Sequence, residues 1–125
     1  MAIFIVKQTA TGFKFDLKTD NGVIATSEVY NSEAACKKGV DSAKNSSVGE
    51  IENQTVEGYE IKKHPKFEVY EDMGGAFRYR LKAVNGQIVA TCGTLSYKTA
   101  AEALAVAEEV KATAAAAKVQ TLLTE

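Results

Sequence analysis

The sequence predicts an α+β fold in which a β-β-β-α-β unit occurs twice and both units form one antiparallel sheet. The segments 13–22 (FKFDLKTDNG) and 77–86 (FRYRLKAVNG) share phenylalanine, leucine, lysine, asparagine and glycine at a constant offset of 64. After each Asn-Gly pair the offset becomes 65 and then 67, at places where loops are expected and insertions are tolerated. We therefore expect one domain over 1–125, made of a repeat at 1–56, a linker at 57–66 and a repeat at 67–125.

Each predicted unit begins with a three-stranded meander. In its second strand an aromatic residue or leucine alternates with a charged residue, and this period of two predicts an antiparallel strand between a core and water. The Asn-Gly that follows is the strongest short signal for a two-residue type I′ hairpin. In the first strands, the offset of 64 aligns Ile3 with Phe67 and Ile5 with Val69. The predicted strands are 3–8, 13–18 and 23–27 in the first unit, and 67–72, 77–82 and 87–92 in the second.

One helix is predicted after each meander. Ser32 can cap the first helix, and Thr99 with Glu102 forms a capping box at the start of the second. Closing strands are predicted at 50–56 and 119–123, and we expect both helices on one face of the sheet, related by a pseudo-twofold axis. The predicted buried stripes have helical spacing and comprise Cys36, Val40 and Ala43 in the first helix, and Ala103, Ala107, Val110 and Ala114 in the second.

The composition is that of a globular domain without a strong overall electric field. Fifteen basic and sixteen acidic residues leave a net charge of −1, which does not draw the whole surface to nucleic acid or to an anionic membrane. No apolar run reaches the roughly 20 residues of a membrane span, and the first residues lack the basic region of a signal peptide. Cys36 and Cys92 have no paired spacing and are expected to be reduced. We expect a cytoplasmic monomer with internal pseudo-symmetry and no membrane association.

Residue types that carry catalysis are few in this chain. His64, the only histidine, lies in the predicted linker, and a zinc site or a Ser-His-Asp triad would need further ligands or a placed base. Cys36 falls on a helix face that is expected to be buried, and no activating base is near Cys92 in the sequence. Glu71 and Asp72 precede two glycines, but a calcium site needs several more oxygen ligands. The sequence therefore predicts no catalytic, cofactor or metal site.

The most suggestive feature is a set of basic residues on the charged face of the two alternating strands. Such residues with neighbouring aromatic rings can bind single-stranded nucleic acid by stacking and phosphate contact. Alternating lysine and arginine is also how an antiparallel sheet solvates its outer face, and Asp16, Glu68 and Glu71 reduce the charge. We expect a non-catalytic binding or protein-interaction module, with weak binding of single-stranded nucleic acid as the alternative. The candidate face comprises Lys14, Lys18, Arg78, Arg80, Lys82 and Tyr70, with Phe4 as a second flanking aromatic residue.

At three segments the chain resembles the YegP-like family of small bacterial and archaeal proteins. These are 67–72 (FEVYED), 77–86 (FRYRLKAVNG) and 24–30 (IATSEVY), and the resemblance extends over nearly the whole chain. It implies tandem β3-αβ motifs that share one sheet and exchange their C-terminal strands. It implies no activity, because fold alone does not specify function. The link at 92–97 departs from the family pattern by being two residues longer than in the first unit, and the linker at 48–66 is also longer than is usual in the family.

Overall fold

A computed structural model describes residues 1–122. The chain alternates two three-stranded meanders with two helices, and a short strand closes each half. A single 3-10 turn at Ala114–Ala116 joins the second helix to the last strand. The elements are β1 (Ile3–Gln8), β2 (Phe13–Thr19), β3 (Gly22–Thr26), α1 (Glu33–Ser46), β4 (Glu50–Asn53), β5 (Lys66–Glu71), β6 (Phe77–Lys82), β7 (Ile88–Thr91), α2 (Ala100–Thr113) and β8 (Lys118–Leu122).

All eight strands form one mixed sheet in the order β4-β5-β6-β7-β3-β2-β1-β8. Neighbours within each meander are antiparallel, but β4 pairs with β5 and β8 pairs with β1 in parallel. The prediction of a wholly antiparallel sheet is therefore wrong. Each closing strand lies beside the first strand of a meander, and no tight turn connects the two strands. A tight turn gives antiparallel neighbours, whereas a longer connection allows the two strands to run parallel.

The two helices begin where the capping signals predicted. Ser32 accepts a hydrogen bond from the backbone N–H of Ala35 at 3.0 Å. Thr99 accepts one from the N–H of Glu102 at 3.1 Å, and the Glu102 carboxylate accepts the N–H of Thr99 in return. Helix α1 packs on β1 and β2, and α2 packs on β5 and β6. The predicted apolar stripes of both helices are buried in one core against the sheet.

The inward faces of β2 and β6 are those that the period of two predicted. Phe15, Leu17, Tyr79 and Leu81 are fully buried, and each alternates with a charged residue on the opposite face of the sheet, the outer face. No helix among residues 1–122 is long and apolar enough to cross a membrane.

The register of β1 differs from the sequence alignment by one residue. Phe4 pairs with Leu17, as Phe67 pairs with Leu81, so Phe4 and not Ile3 is the counterpart of Phe67. The hairpin at 9–12 is one residue shorter than the hairpin at 72–76. A slip of one residue moves every side chain of a strand to the other face. Phe4 therefore lies in the core, 1% exposed, and its predicted place on the outer face is wrong.

The two Asn-Gly turns are not of type I′, which needs a positive φ at both central residues. Gly22 has a φ of 94° and Gly86 one of 84°, but no non-glycine residue in 1–122 has a positive φ. In the second hairpin the N–H of Gly86 donates to the carbonyl of Ala83 at 2.8 Å, and the N–H of Ala83 donates to Gln87 at 2.9 Å. This is a three-residue loop that ends in a left-handed glycine.

The closing strands are shorter or shifted relative to the sequence prediction. Strand β4 begins at Glu50 as predicted but ends at Asn53 rather than at residue 56. Strand β8 begins one residue early, at Lys118, and residue 123 of the predicted 119–123 lies outside the described residues.

Candidate binding surface

The six candidate residues lie together on the outer face of the sheet. Each alternates along its strand with a core residue, and Tyr70 is paired directly with Arg78 across β5 and β6. On the strands of this face, positively charged side chains outnumber carboxylates two to one. The cations are Lys7, Lys14, Lys18, Lys66, Arg78, Arg80, Lys82 and Lys118; the carboxylates are Asp16, Glu50, Glu52 and Glu68. The outer face is thus positive although the chain as a whole has a net charge of −1.

In the half of the sheet formed by β4, β5, β6 and β7, three charged residues of the outer face are buried. Glu52, Lys66 and Glu68 are each less than 5% exposed. The ammonium of Lys66 lies 2.6 Å from the Glu52 carboxylate and 3.3 Å from that of Glu68. Glu68 also accepts from Arg80 at 2.5 Å and contacts Lys82 at 3.1 Å. We call this group of five residues the buried ion cluster. Each buried charge has an opposite partner, which is the condition for charges to be tolerated in a protein interior.

The cluster shifts the pKa values of its three buried members. Burial alone would raise the pKa of Glu68, but hydrogen bonds from Arg80 and Lys82 outweigh it, and the pKa lies below its ordinary value. Burial would likewise raise the pKa of Glu52, yet the hydrogen bond from Lys66 helps to lower it. Burial would lower the pKa of Lys66, and the two carboxylates raise it instead. Glu52, Lys66 and Glu68 are therefore charged at neutral pH although they are buried.

The other half of the sheet, formed by β3, β2, β1 and β8, has a smaller counterpart centred on Asp16. Its carboxylate lies 2.7 Å from the Lys7 ammonium and 3.5 Å from that of Lys14, and it accepts the hydroxyl of Thr26 at 2.6 Å. Burial would raise the pKa of Asp16, but these partners together lower it. Lys7 and Lys14 are therefore held against the sheet by a carboxylate, whereas Lys18 is exposed and has no carboxylate within ion-pair distance among residues 1–122.

Two further candidate residues are committed to contacts within the protein. Arg78 donates to Asp72 at 2.7 Å and to the backbone carbonyls of Gly93 and Leu95 at 3.0 Å each. It therefore holds the link between β7 and α2. The guanidinium of Arg80 lies over the ring of Tyr70, 4.2 Å from its centroid. The ring face of Tyr70 is thus occupied by a cation, a contact that is favourable in itself.

A groove at the centre of the outer face was not predicted from the sequence. Strands β3 and β7 are paired only at Thr26 and Thr91, and they diverge on both sides of that pair. The space between them is a cleft of about 690 Å³. We call it the central groove. Its exposed apolar lining is Val23, Ile88 and Leu95, which are 41%, 47% and 50% exposed. The sequence contains part of the signal for this groove, because both third strands carry an apolar residue at an outward position. It does not show that these two strands would lie next to each other.

The thiols and the acidic residues form no second site. Burial raises the pKa of the Cys36 thiol to about 11, so it is protonated at neutral pH. Cys92 is also buried, and neither cysteine is in a disulfide. Within 1–122, no group of three or more histidine, cysteine or acidic residues is placed to hold a metal ion. His64 is exposed, as its position in the linker predicted.

Comparison with known proteins decides the family. The family described as "Domain of unknown function (DUF1508)" matches residues 9–51 and 72–120. The chain belongs to this family. It is 37% identical to the UPF0339 protein YegP of Escherichia coli O157:H7 over 84 residues, which is 66% of this chain and 64% of that protein. It is 32% identical to the UPF0339 protein YegP of Yersinia pestis over 99 residues, which is 78% of this chain and 76% of that protein.

The fold is shared with a solved member of the family. The solution NMR structure of E. coli yegP, described as a protein of unknown function, matches with a TM-score of 0.75 and 27% identity, over 99% of this chain and 95% of that one. The resemblance to YegP-like proteins is thus confirmed. These relatives are uncharacterised, so no activity is transferred to this chain.

Proposed function

We propose that the protein is a non-catalytic interaction module that binds a protein partner through the central groove. The observation that supports the proposal is the exposure of Val23, Ile88 and Leu95 at one place in the middle of a sheet face. Apolar side chains that are grouped in an open cleft with a polar rim are typical of protein-binding surfaces. At the centre of the groove the Thr26 hydroxyl donates to Asp16 at 2.6 Å, and the Thr91 hydroxyl accepts the N–H of Gly93 at 2.9 Å.

Single-stranded nucleic acid is less well supported as the ligand. Binding by stacking needs aromatic ring faces that are open to a base. On the outer face of the described strands the one aromatic residue is Tyr70, and Arg80 covers its ring. The other aromatic residues of the strands are in or against the core, namely Phe4, Phe13, Phe15, Phe67, Phe77 and Tyr79. The positive charge of the outer face is the observation that favours single-stranded nucleic acid as an alternative ligand, and its binding should be measured together with that of a protein partner.

The same proposal treats the chain as a tandem repeat with a pseudo-twofold axis between Thr26 and Thr91. Equivalent features support it: isolated bridges join Phe13 to Tyr30 and Phe77 to Tyr97, and the family matches two separate segments. The parallel pairs β4–β5 and β8–β1 support an exchange of closing strands between the repeats. The repeats are those expected from the sequence, 1–56 and 67–125 with a linker at 57–66.

We also propose a cytoplasmic location, on the ground of the two free thiols.

Affinity capture with matched variants tests the groove. The wild-type protein, Ile88→Glu and Ile61→Glu are immobilised and exposed to lysate of the native host, and the captured proteins are quantified by mass spectrometry. Ile61 is a suitable control because it is 76% exposed in the linker and does not line the groove. We expect a partner that Ile88→Glu loses and Ile61→Glu keeps. Identical capture by all three proteins would show that the groove is not the binding surface.

A further inference from the structure

We infer that a pocket between α2 and β3 binds a small organic cation, a molecule that carries an ammonium or guanidinium group on an apolar body. The pocket lies where β3, the link between β7 and α2, and α2 itself meet, and its volume is about 470 Å³. Pockets of roughly 300–1,000 Å³ are usual for small ligands. We call it the α2 pocket. Its lining is mostly apolar and includes Val23, Ile24, Leu95, Tyr97 and Val106, together with Glu109.

Glu109 is the one charged residue among the described residues that line the α2 pocket. Its Oε2 atom accepts the hydroxyl of Thr19 at 2.8 Å and the side-chain amide of Asn21 at 3.0 Å. No lysine or arginine within 1–122 lies at ion-pair distance from this carboxylate. The side chain is half-buried, and its Oε1 atom accepts no hydrogen bond from the described residues. Two neutral donors thus fix a negative charge beside apolar surface, and one oxygen is left open to a ligand.

The equivalent place in the other half of the molecule is filled by a tyrosine. Tyr30 stacks on Phe15 with ring centroids 6.5 Å apart, and its hydroxyl lies where a Cβ on Gly39 would be 2.4 Å away. A side chain at this position of α1 would have to displace the ring, so glycine permits the close approach. The same number of residues after its N-cap, α2 carries Val106, and the corresponding tyrosine is Tyr97. The side chain of Val106 occupies the space that the ring would need, and Tyr97 therefore cannot close the pocket in the same way.

The polar groups of the two places differ as well. Ser42 of α1 corresponds to Glu109, and Ala83 corresponds to Thr19, so the carboxylate and the hydroxyl that orients it are present only on the α2 side. An anionic ligand would meet the negative charge of Glu109 without compensation, whereas an ammonium or guanidinium group pairs with it. Tyr97 adds an aromatic ring to the lining, and aromatic rings attract organic cations. Charge complementarity therefore selects a cation, and the apolar lining selects an apolar body.

The α2 pocket adjoins the central groove, but different residues distinguish the two. Among the described residues, Val23 and Leu95 line both, whereas Ile88 lines only the groove and Glu109 only the pocket. Ile88→Glu and Glu109→Gln therefore separate the binding of a protein partner from the binding of a cation.

Titrations followed by NMR on the folded protein test the inference. The probe is phenethylamine, which is an ammonium at neutral pH, and its matched neutral control is phenethyl alcohol. We expect the amine to shift the backbone amides of 105–109 and to bind about fivefold more tightly than the alcohol, and more tightly still at low salt. Glu109→Gln is expected to remove this difference, because the glutamine oxygen can still accept from Thr19 and Asn21 but carries no charge. Glu108→Gln makes the same change of charge at an exposed neighbour outside the pocket, and should retain the difference.

The outcomes separate the inference from the proposed function. Equal affinity for the amine and the alcohol, unshifted pocket amides, or unchanged selectivity in Glu109→Gln would overturn the organic cation as ligand. Tighter binding of N-acetyl-lysine methylamide than of phenethylamine would also overturn it, in favour of a basic side chain of a protein. Selectivity that Ile88→Glu retains while it loses the captured partner would support both sites. Loss of the selectivity in Ile88→Glu would instead assign the cation to the central groove.

Discussion

The two edges of the sheet differ although equivalent closing strands form them. At one edge, β4 places Glu52 in the buried ion cluster, and the backbone N–H of Lys62 donates to the Glu52 carboxylate at 2.7 Å. At the other edge every residue of β8 is exposed. Gln120 of β8 has the same place opposite Ile5 that Glu52 has opposite Glu68. Similar backbone positions therefore carry a buried charge in one half and an exposed polar residue in the other.

The difference shows that burial at an edge depends on what the chain does next. The segment 54–65 leaves β4 and folds back, so that the backbone of Lys62 reaches Glu52 and the edge strand is partly covered. Uncovered edge strands are open to pairing with other chains, and charged residues or covering segments are the usual protection. In this protein the buried charges, Glu52, Lys66 and Glu68, lie at the covered edge, and each of them has a partner of opposite charge.

The largest expected effect is at the centre of the buried ion cluster. Lys66→Met leaves Glu52 and Glu68 buried without the cation between them, and breaking a buried ion pair in this way costs about 3–5 kcal/mol. Lys7→Met removes a cation from Asp16 in the first half, where the lysine is partly exposed and Lys14 remains, and should cost within about 1 kcal/mol. Urea denaturation of both variants measures the difference. Equal destabilisation would contradict the contrast between the halves.

Acid is expected to weaken the same half. The pKa values of Glu52 and Glu68 are lowered in the folded state, because hydrogen bonds from cations outweigh the effect of burial, so the unfolded chain takes up protons at a higher pH. Their contribution to stability is present above the unfolded pKa of about 4.3 and is lost as pH falls through the folded values. In urea titrations at decreasing pH, Glu52→Gln should be less stable than wild type at pH 7, and the gap should narrow in acid. A constant gap would indicate that Glu52 does not titrate as the structure implies.

A smaller effect is expected where the halves are joined. The buried hydroxyl of Tyr79 donates to the carbonyl of Ile24 on β3, whereas the equivalent residue of the first half, Phe15, has no hydroxyl. Tyr79→Phe leaves that carbonyl without its donor and should cost about 1–2 kcal/mol in thermal or urea denaturation. Tyr59→Phe, in the exposed linker, is the control and should be neutral. No loss in Tyr79→Phe would mean that the hydroxyl does not join the halves.

The smallest effect concerns the two edges themselves and needs no substitution. Backbone amides of β8 should exchange with solvent faster than those of β4, because β8 is exposed along its whole length and β4 is covered by the linker. Amide exchange followed by NMR on the folded protein gives the comparison residue by residue. Slower exchange in Lys118–Leu122 than in Glu50–Asn53 would reverse the assignment of the covered edge.

Local patterns predicted much of this fold. The inward faces of the two alternating strands were predicted correctly. A period of two places the same side chains on one face of a strand, whichever strand lies beside it. Both helix starts were correct because a cap such as Ser32 or the Thr99–Glu102 pair acts within one turn. The candidate cations lie on the outer face, and Asp16 and Glu68 reduce the charge there as the sequence predicts, but the burial of Glu68 with Glu52 and Lys66 was not predicted. Lys66, at the centre of the buried ion cluster, falls within the linker that the sequence predicts, whereas in the structure it begins β5.

The sequence by itself determined which segments become strands and helices and which faces of β2 and β6 are buried, since these depend on residues a few positions apart. The tertiary structure decided the rest. It set the register of β1, where a hairpin one residue shorter moved Phe4 into the core. It also set the parallel pairing of β4 and β8, and the divergence of β3 from β7 that opens the central groove. These features depend on which strands meet, and that is decided by the packing of the whole chain rather than by any one segment.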